Sequence, residues 1–200
     1  TLATIPRTAQ ARATMRARQP LTVAGLAFAE TAFRLRSSGV QIKLRARDGQ
    51  RVATGQVLLE VAGPVRSLLS AERVALNFVQ RLSGIATLTA RFVDAVQGTS
   101  TRILDTRKTW PGWRLLQKYA VRCGGGTNHR IGLYDGILIK DNHLAGLRHY
   151  GTPLAAAVKQ ARANVQAGII VEVEVENLEQ LHEALSAHPD VVLLDNMSPE

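Results

Sequence analysis

Cysteine is almost absent from this chain: Cys123 stands alone among 200 residues. An intrachain disulfide is therefore excluded, and a reducing cytoplasm is the expected setting. Cys123 lies beside a glycine run, which invites a nucleophilic reading, but a lone cysteine is more often inert. No apolar run of about 18 residues occurs, so a membrane-spanning helix is not expected. The opening stretch TLATIPRTAQARATMRARQP lacks the apolar centre of a secretory signal. It also lacks acidic residues, as transit peptides do, yet reads as an ordinary amphipathic helix. Aromatic residues make up only 4% and do not interleave with the basic ones as a nucleic-acid stacking platform would. There is no zinc-finger spacing, no RNA-recognition motif, no Gly-Lys-Ser/Thr after the glycine run and no Gly-x-Gly-x-x-Gly fingerprint. His143, His149, His182 and His188 have no metal-ligand spacing among them.

Apolar residues at 46% and charged residues at 20% describe a soluble globular chain, long enough for one domain or two small ones. The net charge of +9 admits three readings: a basic surface that aids solubility, a nucleic-acid partner, or a small polyanionic substrate. The missing motifs weigh against nucleic acid. The third reading gains from the stretch Asp105–His143, DTRKTWPGWRLLQKYAVRCGGGTNHRIGLYDGILIKDNH. It holds Arg107, Lys108, Arg114, Lys118, Arg122, Arg130 and Lys140, with His129, His143 and the run Gly124-Gly125-Gly126. Guanidinium and ammonium groups meet carboxylates or phosphates, and glycine lets a backbone approach a ligand closely. The three glycines are equally compatible with a helix C-cap and a loop that touches no ligand.

The chain divides near 98–101, at Gly98-Thr99-Ser100. Before it, helices are expected over 3–18, ended by Pro20, and over 25–37, where Leu26, Ala29 and Phe33 keep the helical period. VQIKLRA (40–46) alternates as a half-buried strand, and 52–63 brings two more short strands. A long helix follows over 67–97, with Ala75, Val79, Leu82, Ala86, Ala90 and Val93 on its apolar face. Ser83-Gly84 predicts a kink or break in it. After residue 100, strands and helices alternate: TRILD (101–105), a helix over 111–123 opened by Pro111, GILIK (136–140), a helix over 152–165, IIVEVEV (169–175), a helix over 177–187 and DVVLLD (190–195). Alternation of this kind predicts parallel βα units, open or closed into a barrel. The fold class is thus α/β: an N-terminal α+β domain over 1–100 and a βα domain over 101–200.

Four of those strands end in charge: TRILD runs into Arg107 and Lys108, GILIK into Lys140, VEVEV carries Glu172 and Glu174 on one face, and VVLLD ends at Asp195. Parallel βα folds gather their active sites at the carboxyl ends of the strands. Cations there suit phosphates or carboxylates, and carboxylates opposite them suit a divalent metal, ribose hydroxyls or a developing positive charge. The set describes a group transfer with an anionic leaving group.

In ERVALNFVQRLSGIAT (72–87), DTRKTWPG (105–112), QKYAVRCGGGTNHRIGLYDGILIKDNH (117–143), EVEVENLEQL (172–181) and LLDN (193–196), the chain resembles the quinolinate phosphoribosyltransferases. The related molybdenum-cluster family of ModD shares the TRKT and HR pieces but lacks a close match to IKDNH. The resemblance implies an N-terminal sandwich-like α/β domain followed by an incomplete α/β barrel. It implies condensation of quinolinate with phosphoribosyl pyrophosphate, assisted by Mg2+, to nicotinate mononucleotide, pyrophosphate and carbon dioxide in NAD biosynthesis. It further implies a homodimer in which Arg73 completes the neighbouring subunit's site. Arg107, His129, Arg130 and Lys140 match the positions around the two substrate carboxylates, and Lys108 matches a phosphoribosyl pyrophosphate contact. Glu174 and Asp195 match the carboxylates that serve the ribose and the metal, so Lys140, Glu174 and Asp195 form the expected catalytic set. The family continues past LLDN with further barrel strands and a Gly/Ser-rich phosphate loop, whereas this chain stops at Glu200, so a fragment is expected. A catalytically silent accessory protein of the ModD type and a basic nucleic-acid-binding module are the alternative readings.

Overall fold

The computed structural model describes residues 1 and 3–198. They fall into two compact units, one ending at His129 and one beginning at Arg130.

The first unit is built on β1 (Gln10–Arg16), β2 (Leu21–Thr22), α1 (Leu26–Arg36), β3 (Gln41–Leu44), β4 (Arg51–Val52), β5 (Val57–Pro64), α2 (Val65–Ala95) and α3 (Arg114–Cys123). Its main sheet is antiparallel with order β1-β5-β3, and β2 pairs with β4. Leu58, Leu59 and Val61 of β5 pack with Leu26, Ala29 and Phe33 of α1 and with Leu68, Ala71, Ala75 and Val79 of α2. Burying a side chain of this size contributes about 1.5–3 kcal/mol, so this cluster is the main source of the unit's stability.

The helix expected over 3–18 is instead strand β1. Its register with β5 runs from Gln10 opposite Pro64 to Met15 opposite Leu59. Ala11, Ala13, Met15 and Ala17 alternate with Arg12, Thr14, Arg16 and Arg18, a period of two that also suits a strand. The intrinsic helix preference of Ala and Arg is small, and a full ladder with β5 outweighs it. The break expected at Ser83-Gly84 is also absent, because α2 runs unbroken from Val65 to Ala95. Ser83 is buried, where its Oγ accepts from Ala24 N (3.0 Å) and donates to Ala24 O (3.1 Å). Thr87 Oγ1 accepts from Thr22 N at 2.9 Å. These bonds tie the 22–24 segment along the helix, while Gly84 faces outward.

TRILD is reduced to a single parallel bridge, Leu104 to Thr127. Helix α3 starts three residues after Pro111, because Trp110-Pro111-Gly112-Trp113 forms a turn closed by Trp113 N donating to Trp110 O at 3.0 Å. Gly112 has φ +75 there, a left-handed conformation that no helix can include and that glycine adopts freely.

The second unit contains β6 (Ile137–Ile139), α4 (Asp141–His149), α5 (Leu154–Ala163), β7 (Val171–Val175), α6 (Leu178–Ser186) and β8 (Val191–Leu194). The sheet is parallel with β7 in the centre, in the order β6-β7-β8. Every residue of β7 is buried, as a central parallel strand requires. Val171, Val173 and Val175 form the core with Ile139, Leu154, Ala157, Val158 and Ala184. The helix α4, which hydrophobic periodicity did not signal, is held by one buried residue, Leu144. The observed class is mixed α/β, as expected, with alternating parallel βα elements in the second unit.

Candidate active site

In the second unit, the parallel register decides which side chains meet. Ile139 lies beside Val173, and Val175 beside Leu194. Lys140 directly follows β6, Glu174 sits near the end of β7, and Asp195 directly follows β8. Three neighbouring strands therefore deliver an ammonium and two carboxylates at the same, carboxyl end. Asp195 is fixed there by its N–H, which donates to Val175 O at 2.9 Å. Lys140 Nζ donates to Glu174 Oε2 at 2.8 Å. The Glu174 side chain is only 8% exposed, but that of Lys140 is 42% exposed, so the ammonium keeps an open side. The hydrogen bond to Glu174 raises the Lys140 pKa above its ordinary value, and the charges of Glu174, Asp141 and Asp195 add to this against the opposing effect of burial. The group is a firmly cationic lysine throughout neutral pH.

Lys140 is also the N-cap of α4. Its N–H donates to Nδ1 of His143 at 2.9 Å, which places the ring proton of His143 on Nε2. His143 thus orients Lys140, a role that the sequence reading did not assign to it. Glu172, on the same face of β7 as Glu174, is likewise buried. Arg130 opens this unit, and its Nη1 donates to Gly136 O at 3.3 Å. The intervening turn is closed by Asp135, whose carboxylate accepts from Ile131 N (2.7 Å) and Gly132 N (2.9 Å).

In the first unit, Arg107 and His129 leave two adjacent segments. Thr127 N donates to Ile103 O at 2.8 Å and Asp105 N donates to Thr127 O at 3.2 Å. Arg107 lies two residues beyond Asp105, and His129 two beyond Thr127. Arg107 Nε is buried and has no protein acceptor among the described residues. A buried donor without an acceptor is uncommon, and a ligand is one ordinary explanation. Lys108 is exposed, in a loop ordered by Thr106 Oγ1, which accepts from Lys108 N at 3.1 Å. Arg73 is exposed on α2, one turn beyond Leu69, which is also exposed.

Two members of the basic stretch have other duties. Lys118 is 3% exposed and pairs with Asp105, so it offers no charge to a ligand. The glycine run is a packing device. A Cβ on Gly124 would stand 2.4 Å from Ala86 O and 2.6 Å from Thr89 Cβ, and one on Gly126 would stand 2.8 Å from Thr89 Cγ2. The glycines let the end of α3 lie directly on α2. Burial holds the Cys123 thiol above its usual pKa, which favours the unreactive protonated form.

No helix among the described residues is long and apolar enough to cross a membrane. The sequence matches the profile of the quinolinate phosphoribosyl transferase N-terminal domain over residues 1–83 and that of the C-terminal domain over residues 85–200. It is 49% identical over 177 residues to a probable nicotinate-nucleotide pyrophosphorylase [carboxylating] of Bacillus subtilis, covering 88% of this chain and 60% of that protein. It is 46% identical over 200 residues to the nicotinate-nucleotide pyrophosphorylase [carboxylating] of Mycobacterium leprae, covering 98% of this chain and 68% of that protein. The crystal structure of NadC from Streptococcus pyogenes superposes with a TM-score of 0.91 at 44% identity, covering 98% of this chain and 68% of that one. The chain thus spans about three-fifths to two-thirds of the length of the relatives it matches. With both domain profiles matched along nearly its whole length, the chain belongs to the quinolinate phosphoribosyltransferase family.

Proposed function

We propose that the protein is a quinolinate phosphoribosyltransferase, which converts quinolinate and phosphoribosyl pyrophosphate to nicotinate mononucleotide, pyrophosphate and carbon dioxide in NAD biosynthesis. The observation that carries this reading is the trio Lys140, Glu174 and Asp195 at one end of a parallel sheet, in a chain of this family.

In the proposed reaction, Arg107, His129, Arg130 and Lys140 bind the two carboxylates of the pyridine, and Lys108 binds the phosphoribosyl donor. The buried Nε of Arg107 supports its part, because a substrate carboxylate would supply the acceptor it lacks. The open side of the Lys140 ammonium supports its part for the same reason. With the dianion neutralised, the ring nitrogen forms a bond to the ribose anomeric carbon as the bond to pyrophosphate breaks. Glu174 and Asp195 stabilise the positive charge that develops on the ribose. Loss of carbon dioxide from the adjacent ring carbon leaves an electron pair beside the pyridinium nitrogen, which stabilises it until a proton is taken up.

Among the described residues, no group of three or more His, Cys, Asp or Glu side chains is placed to hold a metal ion. Magnesium commonly binds through one or two carboxylates together with substrate phosphates and water. Glu174 and Asp195 fit that pattern, and Mg2+ entering with the donor would neutralise the departing pyrophosphate. A homodimer, with the exposed Arg73 reaching the partner's substrate, and a cytoplasmic setting complete the proposal.

The test is turnover by the purified full-length protein. Quinolinate should be consumed only with phosphoribosyl pyrophosphate and Mg2+ present, with one nicotinate mononucleotide formed per carbon dioxide. Carbon dioxide release without the donor would contradict the reading.

A further inference from the structure

We propose that Asp105, Lys118 and Asn128 form a buried positioning device that fixes the main chain of His129, and through it the presentation of His129 to the dicarboxylate substrate. The proposal rests on the functional reading above for its substrate, but its geometry stands within the first unit alone.

The device holds both polar groups of one peptide residue. Asp105 Oδ1 accepts from His129 N at 2.8 Å, and Lys118 Nζ donates to His129 O at 2.9 Å. Lys118 and Asp105 are bonded to each other. Asn128 closes the ring, because its Nδ2 donates to Asp105 Oδ2 at 2.6 Å and to Lys118 O at 2.9 Å. The ladder geometry explains why a side chain is needed. The parallel bridge runs from Thr127 N to Ile103 O and from Asp105 N to Thr127 O. The next rung would join His129 N to the main-chain carbonyl of Asp105. The Asp105 carboxylate takes that bond instead, so the main chain after Asp105 is free to turn into the loop carrying Arg107 and Lys108. One side chain thus ends the ladder and keeps His129 in register.

Stability does not account for the arrangement. Lys118 and Asp105 side chains are 4% and 6% exposed, and removing two charges from water costs about what their attraction returns. A well-packed apolar pair would commonly be as stable or more so. What a satisfied buried polar network adds is a single geometry. A catalytic group displaced by ~1 Å can lose about 10²-fold in rate, which is the scale of the benefit.

The decisive variant is the double substitution Asp105→Asn with Lys118→Met in the full-length protein. It buries no charge, so folding is retained, yet it removes the donor to His129 O. Hydrogen exchange at the His129 amide should quicken about tenfold or more, while amides of the β1–β5 ladder keep their protection. The KM for quinolinate should rise about tenfold or more, with the KM for phosphoribosyl pyrophosphate within about twofold of the parent. Asn128→Ala, which leaves the ion pair intact, should move the same two quantities in the same direction by less. Unchanged exchange at His129 in both variants, or equal losses for both substrates, would overturn the proposal. A parent protein without turnover would count against the enzymatic reading alone, and the exchange result would still decide whether the device exists.

Discussion

Each unit contains a lysine–carboxylate pair, and the two pairs differ mainly in burial. Lys118 and Asp105 in the first unit are sealed from water on both sides. Lys140 and Glu174 in the second share a buried carboxylate but leave the ammonium 42% exposed. An ammonium bonded to a carboxylate and a main-chain carbonyl out of solvent has nothing left to offer a ligand. One that meets a single buried carboxylate, with Asp195 close enough to be felt electrostatically, stays charged and still faces outward. A lysine paired with a carboxylate is thus sealed inside the structure in one place and open to solvent in the other.

The comparison is broken most sharply by removing one partner from each pair. Lys140→Ala should lower kcat/KM by about 10²–10³-fold or more, the scale of losing one preorganised charge at a reacting centre, with a smaller loss of Tm than Asp105→Ala, because the space left by the half-exposed lysine lets water reach the Glu174 carboxylate. Steady-state kinetics beside a melting curve check this. Asp105→Ala should cost more stability, because it strands an ammonium sealed from water, at about 3–5 kcal/mol, read as the shift of a urea midpoint. If Asp105→Ala left stability intact, the two pairs would not differ in kind.

Much of this contrast lay outside the reach of the sequence. The periodicity of α2, the alternation in β3 and the strand–helix rhythm after residue 136 were legible, because side chains repeat with the period of the element that buries them. The charges at the ends of β6, β7 and β8 were legible for the same reason. The strand β1 was misread as a helix, since its partner β5 lies more than 40 residues away and pairing, not propensity, decides. Lys118 stands in the sequence as one more cation of the 105–143 stretch, because its role depends on Asp105 and His129, which sequence spacing does not bring together. The signal for it was an aspartate closing TRILD and a lysine on the inner face of α3. The glycine run stood open between cap and contact until its distance to Thr89 and Ala86 was known.

Smaller effects sharpen the picture. Gly124→Ala places a methyl group against the α2 backbone and should cost about 1–3 kcal/mol by thermal melting, with the KM values unchanged once folded protein is corrected for. The least effect is expected from pH. Asp190, whose carboxylate accepts from Val171 N at 2.7 Å and pairs with Arg162, has its pKa held down first by that backbone bond and then by the arginine. A depressed carboxylate adds stability above its unfolded value of about 3.9, and loses it as pH falls through the lower folded value. Asp190→Asn should therefore flatten the acid limb of stability below about pH 4 and leave pH 7 to 9 unaltered in slope. Lys140, raised instead, loses its small contribution only as pH climbs through its folded value, above the ordinary lysine range of about 10.4. It remains cationic across that same neutral window.

The most direct test of the account is quinolinate binding by calorimetry to the full-length protein and to Lys140→Met. Binding of the dicarboxylate that weakens about tenfold or more in the variant, measured below the Tm of both proteins, is the predicted result. Equal affinity in both proteins would contradict the assignment of Lys140 and the strand-end carboxylates as the site.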